Sequence, residues 1–268
     1  MEKLTQLKTP DGRFAYEAAG PERAPALVFL HGVGGAGRAF RSQLAAFGDR
    51  YRAVAWDMPG YGGSAPLAAV SIASFAAALK DFLAAIGAEK PLLIGHSIGG
   101  MIVQQLISDE PRLPRAIVLA QTSPAFGSSD GDWQKNFLEA RLSPLDRGET
   151  LKSLAPGIVR SLVGDDADPA GMALAEDCMG SVPEATYRAA MQALMGFDLR
   201  EALGRIAIPT LVLAGSKDTN APAPMMQKMA ARISGAKYIE LAGVGHLAGL
   251  ERPAEFNAAI ASFIDAHS

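Results

Sequence analysis

Pro91-Leu92-Leu93-Ile94-Gly95-His96-Ser97-Ile98-Gly99-Gly100 is the stretch on which the rest of the chain is read. Residues 91–94 are an apolar run, as a strand covered on both faces requires. Residues 98–108 follow almost without a loop and carry a helical pattern. Between them, Gly95-His96-Ser97-Ile98-Gly99 fits G-x-S-x-G. At so sharp a strand-to-helix turn the serine backbone is strained, and side chains two residues to either side would collide. Gly95 and Gly99 are therefore small for a steric reason, and Gly100 lets the helix pack close. The helix N-terminus aims its free N–H groups at developing negative charge. The context carries the weight, because Gly127-Ser128-Ser129-Asp130-Gly131 fits the same pattern. That copy lies in a polar stretch with no strand before it and reads as a loop.

Further apolar runs lie at 26–30, 53–56, 116–120, 210–214 and 238–241. An early pair, 4–7 and 14–17, is separated by Pro10-Asp11-Gly12 and reads as a hairpin. Helical patterns fall at 72–86, 98–108 and 253–265. Their alternation with the runs predicts an α/β fold with a mostly parallel, doubly wound sheet. The alternation breaks between about 123 and 200, where helical patterns at 133–141, 149–154 and 184–195 replace strands. We read this as a helical cap inserted after the sixth strand. The core is then 1–123 with 200–268, and the cap is 124–199.

Composition narrows the function classes. With 268 residues and a net charge of -3, the chain offers no broad positive field for a phosphate backbone, so no nucleic acid is expected as partner. No run approaches the ~20 apolar residues of a membrane span, and the first residues lack a signal-peptide pattern. The single cysteine, Cys178, forms no internal disulfide and points to a reducing, cytoplasmic setting. No metal or organic cofactor is expected. Oligomeric state, a homo-oligomer included, stays open.

A serine hydroxyl needs a base to take its proton. Of four histidines, His267 is at the C-terminus, and His31 and His96 sit on tight turns as packing residues. His246 follows the last strand on a glycine-lined loop, at the sheet edge where open α/β folds place ligands. The acid that orients it is Asp218, beyond 210–214. The loop after 116–120 has no carboxylate before Asp130, and Asp57 reads as a turn former. The oxyanion of a tetrahedral intermediate needs two N–H donors. Ile98 supplies one, and Val33, with Gly34 as fallback, the other.

Together with His31-Gly32, Trp56-Asp57-Met58-Pro59-Gly60-Tyr61-Gly62-Gly63-Ser64, Pro209 through Asp218 and Gly245-His246, these residues resemble the α/β-hydrolase superfamily over nearly the whole chain. The resemblance is closest to the 3-oxoadipate enol-lactonase-like group and its carboxylesterase relatives. Phe197-Asp198-Leu199-Arg200 and Glu251-Arg252-Pro253-Ala254-Glu255-Phe256 carry it. It implies a serine hydrolase of a small to medium ester or lactone, with Ser97, His246 and Asp218 as triad. Dehalogenases and epoxide hydrolases of this fold use an aspartate where Ser97 stands. Two alternatives stay open: a C–C hydrolase or perhydrolase on the same triad, and a low-turnover ligand-binding sensor. In the cap, Trp133 and Met191 are the expected pocket walls. Lys135, Arg141 and Arg160 are candidate holders of a substrate carboxylate, although each reads more simply as a surface charge.

Overall fold

The structure is a computed structural model that describes residues 6–127 and 132–268. Its strands are β1 (Gln6–Lys8), β2 (Ala15–Ala19), β3 (Ala26–Leu30), β4 (Arg52–Trp56), β5 (Leu92–His96), β6 (Ala116–Ala120), β7 (Thr210–Gly215) and β8 (Lys237–Leu241). They form one sheet in the order β1-β2-β4-β3-β5-β6-β7-β8. The β1–β2 and β2–β4 pairs are antiparallel, and every later pair is parallel. The order reverses between β4 and β5, across β3, so β5 lies at the centre with its C-terminal end open to a ligand.

The helices are α1 (Arg41–Phe47), α2 (Ile72–Ala85), α3 (Ile98–Asp109), α4 (Trp133–Asp146), α5 (Leu151–Leu162), α6 (Pro169–Gly180), α7 (Glu184–Ala193), α8 (Ala223–Ala231), α9 (Ala248–Glu251) and α10 (Pro253–Ala266). Alternation along the central strands sends their side chains to two cores. Leu27, Phe29, Ala53, Ala55, Leu92 and Ile94 face α1 and α10, meeting Leu44, Phe47, Phe256, Ile260 and Phe263. Val28, Leu30, Val54, Trp56 and Leu93 face α2, α3 and α8, meeting Phe75, Leu79, Phe82, Ile102 and Met226. Both faces are covered, so these strands are apolar throughout. α4 to α7 form the helical insertion after β6.

Three local expectations shift. The second hairpin strand moves toward the C-terminus, to β2, and the first runs on to Lys8 as β1. Thr9 closes the turn, its N–H donating to Phe14 O at 2.9 Å and its Oγ1 accepting from Phe14 N at 3.1 Å. Phe14 then turns inward against Trp56 and Phe82. Leu4 and Thr5 of the expected first strand lie outside the described residues, as do Ser128 to Gly131 of the second G-x-S-x-G. The patterns at 133–141 and 149–154 extend into α4 and α5, and Thr150 and Ser153 cap α5 reciprocally. α6 has no counterpart among the expected helices, because its buried side carries Gly171, Ala175 and Cys178 with Met179 as its one large apolar residue, too little to mark an apolar stripe. Its start is nevertheless written in sequence: Asp168 accepts from Gly171 N at 3.1 Å, and Pro169 occupies the first turn.

Candidate active site

The turn between β5 and α3 holds Ser97 at φ 54° and ψ −122°, a left-sided backbone that a serine adopts only under constraint. The constraint is visible in its neighbours. A methyl group on Gly95 would stand 2.6 Å from Gly100 Cα, and one on Gly99 would stand 2.9 Å from Leu30 Cβ. From beneath, Thr122 Oγ1 donates to Ser97 O at 2.7 Å, and Ser97 N donates to Ala120 O at 3.1 Å.

The loops after β7 and β8 bring two more side chains to this turn. His246 Nε2 lies 3.0 Å from Ser97 Oγ, and His246 Nδ1 lies 2.8 Å from Asp218 Oδ2. Asp218 accepts two further bonds at Oδ1, from Asn220 N at 2.8 Å and Ala221 N at 3.0 Å. Its side chain is fully buried. Burial alone would push its carboxyl up; the facing His246, its hydrogen bond and the two N–H groups outweigh this and hold it below the ordinary value. An ionised Asp218 is acceptor-only, so Nδ1 carries the proton of the neutral imidazole. Nε2 therefore turns a lone pair toward Ser97.

His31 and His96 brace the loops around this group. His31 is buried; its Nδ1 donates to Gly32 O at 2.8 Å, and its Nε2 accepts from Met58 N at 3.1 Å. Burial lowers its basicity. His96 Nε2 donates to His246 O at 2.6 Å, and burial pushes the His96 imidazole down to about 3. Asp57 accepts from Gly37 N at 2.7 Å and Gln6 Nε2 at 2.8 Å, tying loops together at some remove from Ser97.

The loop after β3 lies against Ser97: a methyl on Gly32 would stand 3.3 Å from Ser97 Cβ. Gly35 N–H is spent on Gly32 O at 2.9 Å, whereas Val33 and Gly34 N–H make no backbone hydrogen bond among the described residues. Ile98 opens α3, where an N–H has no acceptor within its own helix.

Above Ser97 is a cavity of about 580 Å³ between core and cap, with Val33, His246 and Met179 in its lining. Trp133 and Met191 both line it. Met191 is buried, while Trp133 is 48% exposed and stacks on Phe137 at 5.2 Å between ring centres. Of the three candidate cations, Arg141 lines the cavity, 5.5 Å above the Phe137 ring. Lys135 and Arg160 are exposed and outside it. Cys178 is buried in the cavity wall, its thiol pushed up to about 11 by desolvation. Glu251 went without a role in the sequence; it is 1% exposed and holds the His246 loop. Its sequence signal is a carboxylate five residues after His246, at the head of the stretch Glu251-Arg252-Pro253-Ala254-Glu255-Phe256.

Sheet order, elbow and cap define an α/β-hydrolase fold. The chain belongs to the alpha/beta hydrolase family, whose profile matches residues 27–259. Among individual proteins it is 28% identical to 3-oxoadipate enol-lactonase 1 of Acinetobacter baylyi, over 91% of this chain and 90% of that one. It is 30% identical to polyketide synthase ThaQ of Burkholderia thailandensis over 97% of this chain, which spans 12% of that protein's length. A hydrolase from Pseudomonas aeruginosa superposes with a TM-score of 0.84 at 26% identity, covering 98% of each chain. Among the described residues, no helix is long and apolar enough to cross a membrane.

Proposed function

We propose that the chain is a serine hydrolase that cleaves a small to medium carboxylic ester or lactone through an acyl-enzyme on Ser97. The observation that carries this reading is the unbroken run Ser97 Oγ, His246, Asp218, with bonds of 3.0 and 2.8 Å, at the base of the cavity. Ser97 Oγ attacks the carbonyl carbon while His246 Nε2 takes its proton. Asp218 stabilises the imidazolium so formed. Val33 and Ile98 N–H receive the oxyanion. As the intermediate collapses, the C–O bond breaks and the alcohol leaves with the proton from Nε2; in a lactone it stays tethered to the acyl chain. Water then attacks the acyl carbonyl with Nε2 again as base, releasing the acid and restoring Ser97.

The size and apolar lining of the cavity, with Trp133 and Met191 as walls, favour an acyl group of modest length. Similarity to an enol-lactonase supports the lactone alternative, and Arg141 and Arg200, both in the cavity lining, are the cations an acidic group on such a substrate would meet. Core and cap divide at 124 and 199 in this reading, with the substrate between them.

Acid-quenched mass spectrometry early in turnover of 4-nitrophenyl butyrate tests the proposal. One butyryl group on the peptide containing Ser97 is expected. No adduct, with no turnover of any ester or lactone in a panel, contradicts it.

A further inference from the structure

Glu251 lies at the end of α9, 1% exposed, and touches none of the reacting atoms. Its carboxylate nevertheless takes the peptide N–H on each side of His246: Gly245 N at 3.0 Å on Oε2 and Leu247 N at 2.9 Å on Oε1. Oε2 also takes Gly164 N at 2.8 Å, from the link between α5 and α6 of the cap. More bonds join the same two segments. His246 N donates to Leu162 O at 2.6 Å, Asp165 N to Gly243 O at 2.8 Å, and Asp168 N to Glu251 O at 2.8 Å. The Arg252 guanidinium donates to Asp165 O at 2.9 Å. The approach is so close that a methyl on Gly164 would collide with Gly243 O, and one on Gly245 would collide with Leu162 O.

We propose that Glu251 is a positioning residue for His246, and that through it residues 162–168 of the cap form part of the mount of the imidazole. The proposal rests on reading His246 as the base. A carboxylate accepting three N–H groups has no donor of its own, so it fixes the loop without competing for Nε2. In glutamine one of the two oxygens becomes an NH₂ group. That group must face Leu247 N–H on one side or the Gly164 and Gly245 N–H pair on the other, so at least one bond turns repulsive. The α5–α6 half of the cap is accordingly a fixed wall, and any opening for substrate falls to other parts of the insertion.

The test is Glu251→Gln, read in two ways. The first is the low-field proton resonance of His246 Nδ1–H, assigned by its loss in His246→Gln; it reports imidazole placement with no reaction needed. The second is the split between kcat and KM on 4-nitrophenyl butyrate. A displaced or broadened resonance and a 10- to 100-fold lower kcat at a KM within twofold of wild type are expected. A wild-type resonance in folded Glu251→Gln overturns the proposal whatever the activity. Inactivity of the wild type would instead overturn the proposed function and leave the resonance to decide on Glu251. Should Glu251→Gln not fold, Glu251→Asp keeps the charge and shortens the reach by one methylene. A shifted resonance there supports the proposal, and an unshifted one overturns it.

Discussion

At the scale of single residues, the proposed chemistry turns on which nitrogen of His246 is free. Asp218 decides this by accepting from Nδ1–H at 2.8 Å while its other oxygen is held by two backbone N–H groups. Asp218→Asn presents an NH₂ to the ring, favours the other tautomer and takes the lone pair away from Ser97. A fall in kcat of about 10³- to 10⁴-fold with little change in KM is expected, as in a related triad. Steady-state kinetics check this, and a kcat within tenfold of wild type would remove Asp218 from its role. The three side chains were legible from sequence because each follows a recognisable strand and the chain has few competitors for each part. Glu251 was not. Its function lies in peptide N–H groups brought together from 164, 245 and 247, and no spacing in the sequence records that meeting.

At the scale of elements, the turn from β5 to α3 is where sequence and structure agree most closely. Strand, glycines and helix each demand the same geometry, so the local signals reinforce one another. The strain at Ser97 is held by the packing of Gly95, Gly99 and Gly100. A methyl on Gly95 would meet backbone at 2.6 Å, with no flexible side chain to give way. Gly95→Ala is therefore expected to cost about 1–3 kcal/mol, the usual range for overpacking. Thermal or urea unfolding measures it, and an unchanged midpoint would mean that the elbow has slack. The cap helices were less legible. α6 buries glycine, alanine and cysteine and one large apolar residue, Met179, so the apolar stripe that reveals α2 is missing, although Asp168 and Pro169 mark its start. The first hairpin shifted because Phe14, apolar and beside a turn, belongs to the core rather than to a strand edge.

At the scale of the whole molecule, two buried histidines couple stability to pH. Burial lowers His31, and it pushes His96 from 6.5 down to about 3. The unfolded chain therefore takes up protons below pH 6.5 that the native state refuses. Stability is complete above 6.5 and falls as pH drops; His96 contributes a loss of up to about 1.4 kcal/mol per pH unit down toward 3, and His31 acts in the same direction. Asp218, held below its ordinary 3.8, adds a further loss only below that value. Thermal unfolding between pH 7.5 and 4.5 is expected to show a falling midpoint, with a shallower slope in His96→Gln. Equal slopes would show that His96 is charged in the folded protein. The fold class was visible in the alternation of apolar runs with helical patterns, because a sheet covered on both faces leaves that imprint. How the cap sits on the core left none, being made by contacts between distant segments such as 162–168 with 243–247, Arg38 with Asp177, and Thr186 with Gly60.

The central claim is that Ser97 is the nucleophile. The most direct measurement compares hydrolysis of 4-nitrophenyl butyrate by the wild type and by Ser97→Ala at pH 7.5. A fall in kcat of several orders of magnitude, as expected when a triad member is lost, is the predicted result. Undiminished hydrolysis by folded Ser97→Ala would contradict it.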